Sequence, residues 1–266
     1  MNPILLAVII VAGIGILAGL LLAVLSKVMA VPVDEKAQAI EEALPGANCG
    51  SCGFSGCSGY AAALSNGSTT DTGLCNPGGS EASAKIAEIM GLAASDITPM
   101  TAVVLCNGTD ANANKKMVYD GVKSCKMASQ LFGGDKSCLY GCLGLGDCVD
   151  QCPYNAIQIC SGVAVVSPEL CKACKKCVAV CPKGIIELMP KDKVSAAVLC
   201  KNHDKGAQTM KDCKVGCIGC TKCTKVCESE AISMEKNNAH IDAAKCTACG
   251  KCVETCPKDA IKMLKL

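Results

Sequence analysis

Positions 4 to 25 hold only Ala, Val, Ile, Leu and Gly, an unbroken run of 22 residues from Ile4 to Leu25. Wound as a helix, such a run is roughly 33 Å long, enough for the hydrocarbon core of a bilayer. A secretory signal would carry positive charge ahead of a shorter apolar stretch, whereas here the first charged side chain is Lys27. The pattern predicts a permanent, single-pass transmembrane anchor over residues 1–30. No lysine precedes the run, and Lys27 and Lys36 follow it. That bias puts the rest of the chain on the cytoplasmic side of the cell (inner) membrane. Gly15 and Gly19 form a small-residue face suited to packing on another membrane protein.

Beyond the anchor the apolar pattern becomes helical and short. Residues Val31 to Leu44 read as a helix with Ala37, Ile40 and Leu44 on one side, stopped by Pro45-Gly46. Residues Ser80 to Leu92 read as a second, with Ile86, Ile89 and Met90 apolar. Asn107 to Asn114 is polar and predicts a loop. From Ser137 to the end, cysteines replace periodicity as the dominant signal.

Cysteine accounts for 25 of 266 residues, while aromatics are 2% and tryptophan is absent. A core so poor in aromatic area needs other cohesion, which bound inorganic groups could supply. The cysteines fall in tight fours, a spacing that suits metal better than crosslinks. Net charge is +2 and the chain has no arginine, which argues against nucleic acid as a partner. With His203 and His240 the only histidines, a histidine-rich zinc or haem site is excluded. No phosphate-binding glycine loop and no Ser–His–Asp set is present, so no catalytic residues are assigned.

Three runs share one form: Cys171-x2-Cys174-x2-Cys177-x3-Cys181, Cys217-x2-Cys220-x2-Cys223-x3-Cys227 and Cys246-x2-Cys249-x2-Cys252-x3-Cys256. Three thiolates on a tight loop reach three corners of an iron cubane, and the fourth starts a segment leading to a second cluster. A fourth run, Cys138-x3-Cys142-x5-Cys148-x3-Cys152, lacks its middle ligand, with Leu145 in that place. Cys138 is expected to loop back to the vacant corner; a three-iron site with Cys138 as a bystander is the alternative. The block Cys49-x2-Cys52-x4-Cys57-x17-Cys75 is glycine-rich between ligands. Such backbone can approach a cluster closely; a structural zinc site is the alternative there.

An internal repeat underlies the second half. Thr101-Ala-Val-Val-Leu-Cys106 resembles Ser195-Ala-Ala-Val-Leu-Cys200, and Cys138/Cys142 correspond to Cys213/Cys217. Cys106, Cys125, Cys160, Cys200 and Cys213 stand outside the runs and are read as buried or free thiols. Lys172, Lys175, Lys176, Lys183, Lys214, Lys222 and Lys225 crowd the runs. They make an ordinary solvated surface or, alternatively, a docking face for an acidic redox partner such as soluble ferredoxin.

Residues 137–266 resemble the bacterial two-cluster ferredoxins. That resemblance implies four ligand sets: Cys138, Cys142, Cys148 and Cys181; Cys152, Cys171, Cys174 and Cys177; Cys217, Cys220, Cys223 and Cys256; Cys227, Cys246, Cys249 and Cys252. The Cys49–Cys75 block looks like the four-cysteine iron–sulfur domain of Rnf B subunits and corrinoid proteins. In order, the whole chain resembles the B-subunit family of Rnf electron-transport complexes. The expected fold is α+β, with an anchor (1–30), a four-cysteine domain (31–95) and two ferredoxin-like double-cluster modules (96–192 and 193–266). The resemblance implies about five 4Fe-4S clusters per chain. It also implies reduced ferredoxin as donor, other subunits of the complex as partners, and ferredoxin:NAD+ oxidoreduction coupled to Na+ or H+ translocation. A component of a membrane hydrogenase or other dehydrogenase, and a zinc-binding scaffold, are the competing readings.

Overall fold

The computed structural model describes residues 3–28 and 34–266, with the side chains of 5–10 and 27–28 outside the description. Helix α1 (Pro3–Val28) runs for 26 residues. Its side chains are described without a break only over 11–26, and among the described residues no helix is long and apolar enough to cross a membrane.

Helix α2 (Glu35–Ala43) starts where the Asp34 carboxylate accepts the N–H groups of Lys36 and Ala37, satisfying donors that a helix start leaves free. The expected start at Val31 lies outside the described residues. Helix α3 (Cys57–Ser65) has no counterpart in the sequence reading, and α4 (Gly79–Met90) ends at Gly91 in the left-handed conformation. Ile40, Leu44, Tyr60, Leu64 and Ile86 close around Cys57 and Cys75 to make one core.

Strand β1 (Met100–Val104) precedes a long irregular stretch that contains the expected 107–114 loop and helix α5 (Cys125–Gln130). Then come α6 (Asp147–Asp150), β2 (Ile157–Cys160), β3 (Val163–Val166), α7 (Lys176–Val180) and β4 (Ile186–Pro190). The second copy supplies β5 (Ser195–Val198), α8 (Gly206–Asp212), α9 (Lys222–Lys225), β6 (Ile232–Glu235), β7 (Asn238–Ile241), α10 (Lys251–Thr255) and β8 (Ile261–Leu264). In each copy the inner strands form a hairpin and the outer strands pair antiparallel. Val104 opposes Ile186 and Ile157 opposes Val166 in the first; Val198 opposes Ile261 and Ile232 opposes Ile241 in the second. The expected α+β class is therefore present.

Burial follows the two-residue strand period. Ala102 and Val104 face the first module's core, among Ile157, Val163 and the cysteines. Ala196 and Val198 do the same in the second. Val103, Leu105, Met189 and Ala197 point the other way and form a seam between the two modules. The seam is stitched by backbone bonds, Asn107 N–H to Leu199 O at 3.1 Å and Lys214 N–H to Asn112 O at 2.8 Å.

Candidate metal centres

No disulfide joins any of the 25 cysteines. Among the described residues no three His, Cys, Asp or Glu side chains converge on a single metal ion. A zinc site would bring four sulfurs each to about 2.3 Å from one point. Instead, thiols stand in fours around open spaces, an arrangement that fits a multi-iron cluster.

The N-terminal set is assembled from a loop and a helix start. Cys49, Cys52, Cys57 and Cys75 line one cavity of about 300 Å³ of empty space, mouth included. Asn48 Oδ1 accepts the Cys57 N–H at 2.9 Å, which fixes the first turn of α3. Gly56 has φ +141°, and a Cβ there would lie 2.8 Å from that same oxygen, so only glycine permits the turn. Tyr60 backs the set; it donates to Asp71 O at 2.6 Å and stacks on Phe54 at 5.4 Å. Burial pushes its hydroxyl pKa up to about 12. Burial also raises the Cys75 thiol against a pull from the Gly78 N–H, and the sulfurs of Cys57, Cys49 and Cys52 raise it further. A bound cation would offset that rise and favour the Cys75 thiolate.

In the first module, Cys171 accepts from the N–H groups of Ala102 (3.4 Å) and Ala173 (3.5 Å), and Cys152 from Ala156 (3.3 Å). Burial raises Cys177 to about 11, and its sulfur neighbours are Cys171, Cys174 and Cys152. The structure brings these four cysteines near one another. The loop that carries Cys174 meets the N-terminal site directly. Ser51 Oγ donates to Ala173 O at 3.5 Å, Lys175 Nζ donates to Ser51 O at 3.3 Å, and Cys49 is a charge neighbour of Cys174.

The other first-module set departs from expectation. Burial pushes Cys148 up to about 12, and the thiols around it are Cys142, Cys125, Cys181 and Cys177. Cys125 is among these neighbours and Cys138 is not. Cys125 opens α5, which Asp147 holds against α6 by accepting the N–H groups of Cys125 and Lys126. Burial raises the Asp147 carboxyl, but those two N–H bonds and the Ser124 hydroxyl outweigh it and hold the pKa below its ordinary value. Cys138 instead lines a separate cavity with Cys106, Cys200 and Cys213. Of the cysteines read as buried or free thiols, Cys106, Cys200 and Cys213 line that cavity with Cys138, and Cys125 lies near Cys148. The remaining one, Cys160, is exposed. The signal for the change was the longer stretch before Cys138 in the first copy, which carries Cys125.

In the second module, Cys217, Cys220, Cys223 and Cys256 line a cavity of about 370 Å³, mouth included. Burial raises Cys252, whose sulfur neighbours are Cys246, Cys249 and Cys227. Both sets match the spacing. Of the crowded lysines, Lys175, Lys183 and Lys214 are bound to backbone carbonyls of other loops. They tie loops together, so only the remaining four are free to present a docking face.

Three stretches match known families: residues 44–77 a "Putative Fe-S cluster" family, residues 164–187 a "4Fe-4S binding domain" and residues 212–263 a "4Fe-4S dicluster domain". The chain is 41% identical over 246 residues to the B subunit of a Na(+)-translocating ferredoxin:NAD(+) oxidoreductase complex from Acetobacterium woodii, covering 92% of this chain and 73% of that one. The chain belongs to the B-subunit family of ion-translocating ferredoxin:NAD+ oxidoreductase (Rnf) complexes. Identity is 36% over 243 residues to the B subunit of a proton-translocating complex from Clostridium ljungdahlii, with 91% and 85% coverage. It is 38% over 238 residues to the B subunit of an ion-translocating oxidoreductase complex from Methanosarcina acetivorans, with 89% of each chain. Members of this family are components of an oxidoreductase, and this chain carries their 4Fe-4S domains.

Proposed function

We propose that this chain is a membrane-anchored electron relay. It takes single electrons from reduced ferredoxin and delivers them to membrane partners of an Rnf-type complex that couples ferredoxin:NAD+ oxidoreduction to Na+ or H+ translocation. The observation that carries the reading is the contact between the loops that carry two ligand sets, where Ser51, next to Cys52, is hydrogen-bonded to Ala173 and Lys175, on either side of Cys174. When bound, 4Fe-4S clusters supply one-electron steps without bond making.

The chain's own part is placement and tuning. Cys49, Cys52, Cys57 and Cys75 hold one cluster; Cys152, Cys171, Cys174 and Cys177 a second; Cys125, Cys142, Cys148 and Cys181 a third. Cys217, Cys220, Cys223 and Cys256 hold a fourth, and Cys227, Cys246, Cys249 and Cys252 a fifth. Backbone N–H groups donate to ligand sulfurs, as Ala164 does to Cys142 at 3.4 Å, and such bonds raise a cluster's potential. Burial excludes water from the inner thiols. The organisation follows as anchor 1–30, four-cysteine domain 31–95, and modules 96–192 and 193–266.

Anchoring rests on α1, where Ile14, Ile16, Leu17, Leu20, Leu21 and Leu22 are all exposed, Leu17 by 70%. An apolar surface of that extent requires lipid or protein around it. Lys27 and Lys36 then put the modules on the cytoplasmic side. The test is anaerobic iron and sulfide analysis with EPR of the reduced full-length protein. Brown protein with at least five clusters is expected, and a colourless chain or iron for only two clusters overturns the reading.

A further inference from the structure

Cys106, Cys138, Cys200 and Cys213 meet at the seam between the modules around one cavity. Its empty space is about 400 Å³, mouth included, beside about 370 Å³ and 300 Å³ for the Cys217–Cys256 and Cys49–Cys75 sites measured alike. The space is thus of the size that the other cysteine sets enclose.

The sulfurs already receive the hydrogen bonds expected of cluster ligands. Cys106 Sγ accepts from the N–H groups of Gly108 at 3.4 Å and Cys142 at 3.3 Å. Cys200 Sγ accepts from the Asn202 N–H at 3.5 Å, and the Asn202 side-chain amide donates to Cys138 Sγ at 3.6 Å. One residue therefore bridges a ligand from each copy.

Charge points the same way. Lys136 lines the cavity, is 1% exposed, and donates to the carbonyls of Gly108 (2.7 Å) and Gly162 (2.8 Å). No carboxylate is paired with it among the described residues. A buried ammonium with only dipolar partners is costly unless an anion stands nearby, and a four-thiolate iron cluster is one.

We propose that Cys106, Cys138, Cys200 and Cys213 hold a further 4Fe-4S cluster, ligated in equal parts by the two copies of the repeat. Cys106 corresponds to Cys200 and Cys138 to Cys213, so the site lies on the pseudo-symmetry between modules. It touches both neighbours. The N–H of Cys142, from the first module's inner set, bonds Cys106, and that of Cys217, from the second module's, bonds Cys200. Without it the two double-cluster modules have no metal between them; with it the ligand sets follow one another from Cys49 to Cys252. The inference rests on the iron–sulfur reading above but adds a site of which three ligands, Cys106, Cys138 and Cys200, lie outside the matched 4Fe-4S stretches.

Anaerobic native mass spectrometry of the full-length wild-type protein decides it without any variant. The expected mass corresponds to about six 4Fe-4S clusters per chain. The double variant Cys106→Ser/Cys200→Ser is expected to lose about one sixth of the iron and sulfide, and Cys160→Ser none. A wild-type mass of five clusters, or of five clusters and a zinc ion, overturns the inference and leaves the proposed function standing. A mass with no iron overturns both. Should the double variant fail to fold, the wild-type mass still gives the answer.

Discussion

Asp147 Oδ1 accepts the backbone N–H of Cys125 at 2.8 Å, across 22 positions of sequence. Its other oxygen takes the Lys126 N–H at 2.9 Å and the Ser124 hydroxyl at 3.0 Å. The carboxylate therefore caps α5 from outside while sitting next to Cys148 in its own chain. Replacing it by alanine frees two helix-start donors, a loss of about 1 kcal/mol. That corresponds to about a fivefold rise in opening of the α5 start. Asp147→Ala is expected to release the iron of one first-module cluster faster to an iron chelator, followed by absorbance. Cys125→Ser is expected to lose that cluster outright, and iron content equal to wild type would restore the Cys138 assignment.

Lys136 makes a second prediction. Its ammonium stabilises electron-rich neighbours, so removing the charge lowers the reduction potential of the centre beside it by on the order of tens of millivolts. Lys136→Met also strips two buried carbonyls of a charged donor, a loss of about 1.5–3 kcal/mol each before repacking. EPR-monitored redox titration is expected to show one signal moved to lower potential with the others unchanged. A uniform set of potentials in the variant would show that Lys136 is a structural staple only.

These residues also mark where sequence reading ran out. The runs ending at Cys181, Cys227 and Cys256 were legible because their ligands lie within eleven residues of one another and the chemistry imposes that spacing. The gap at Leu145 was legible as a gap. Its filler was not, since Cys125 reaches the site only through a cap supplied by Asp147. Cys106 and Cys200 were visible as a repeated pair, but lone cysteines carry no local spacing, and only the strand pairing at the seam brings them together. Helix α3 was hidden by Gly59 and Ser58, weak helix formers held in place by the Asn48 bond to Cys57 and by burial of Tyr60 and Leu64.

The repeat predicts paired sensitivity at two glycines. Gly144 has φ +70° and a Cβ there would lie 2.5 Å from Gly162 O; Gly219 has φ +67° and a Cβ would lie 2.8 Å from Asn237 O. Each glycine lets a ligand loop close on the turn that joins the two strands of the inner hairpin. Alanine at either position combines a left-handed backbone with a clash, costing about 1–3 kcal/mol. Gly144→Ala is expected to lower iron content in the first module and Gly219→Ala in the second, each with a lower Tm. Gly146→Ala, at an open position with nothing within 4 Å of its Cβ, is the control for backbone strain alone.

Removing residues 1–30 separates anchoring from cluster chemistry. The cores around Cys57 and Cys75 and in both modules draw on no residue before Ile40, so the shortened chain keeps the packing that positions its thiols. It is expected to leave the membrane fraction while holding the same iron per chain. The exposed apolar face of α1 is the physical cause of the partition, because burying a leucine or isoleucine side chain is worth about 1.5–3 kcal/mol and Ile14, Ile16, Leu17, Leu20, Leu21 and Leu22 are all uncovered. Fractionation of cells expressing the two forms, with iron measured on each pool, checks both halves. Continued sedimentation of the shortened form with membranes, after a high-salt wash to strip partner proteins, would assign the attachment to the modules instead of the helix.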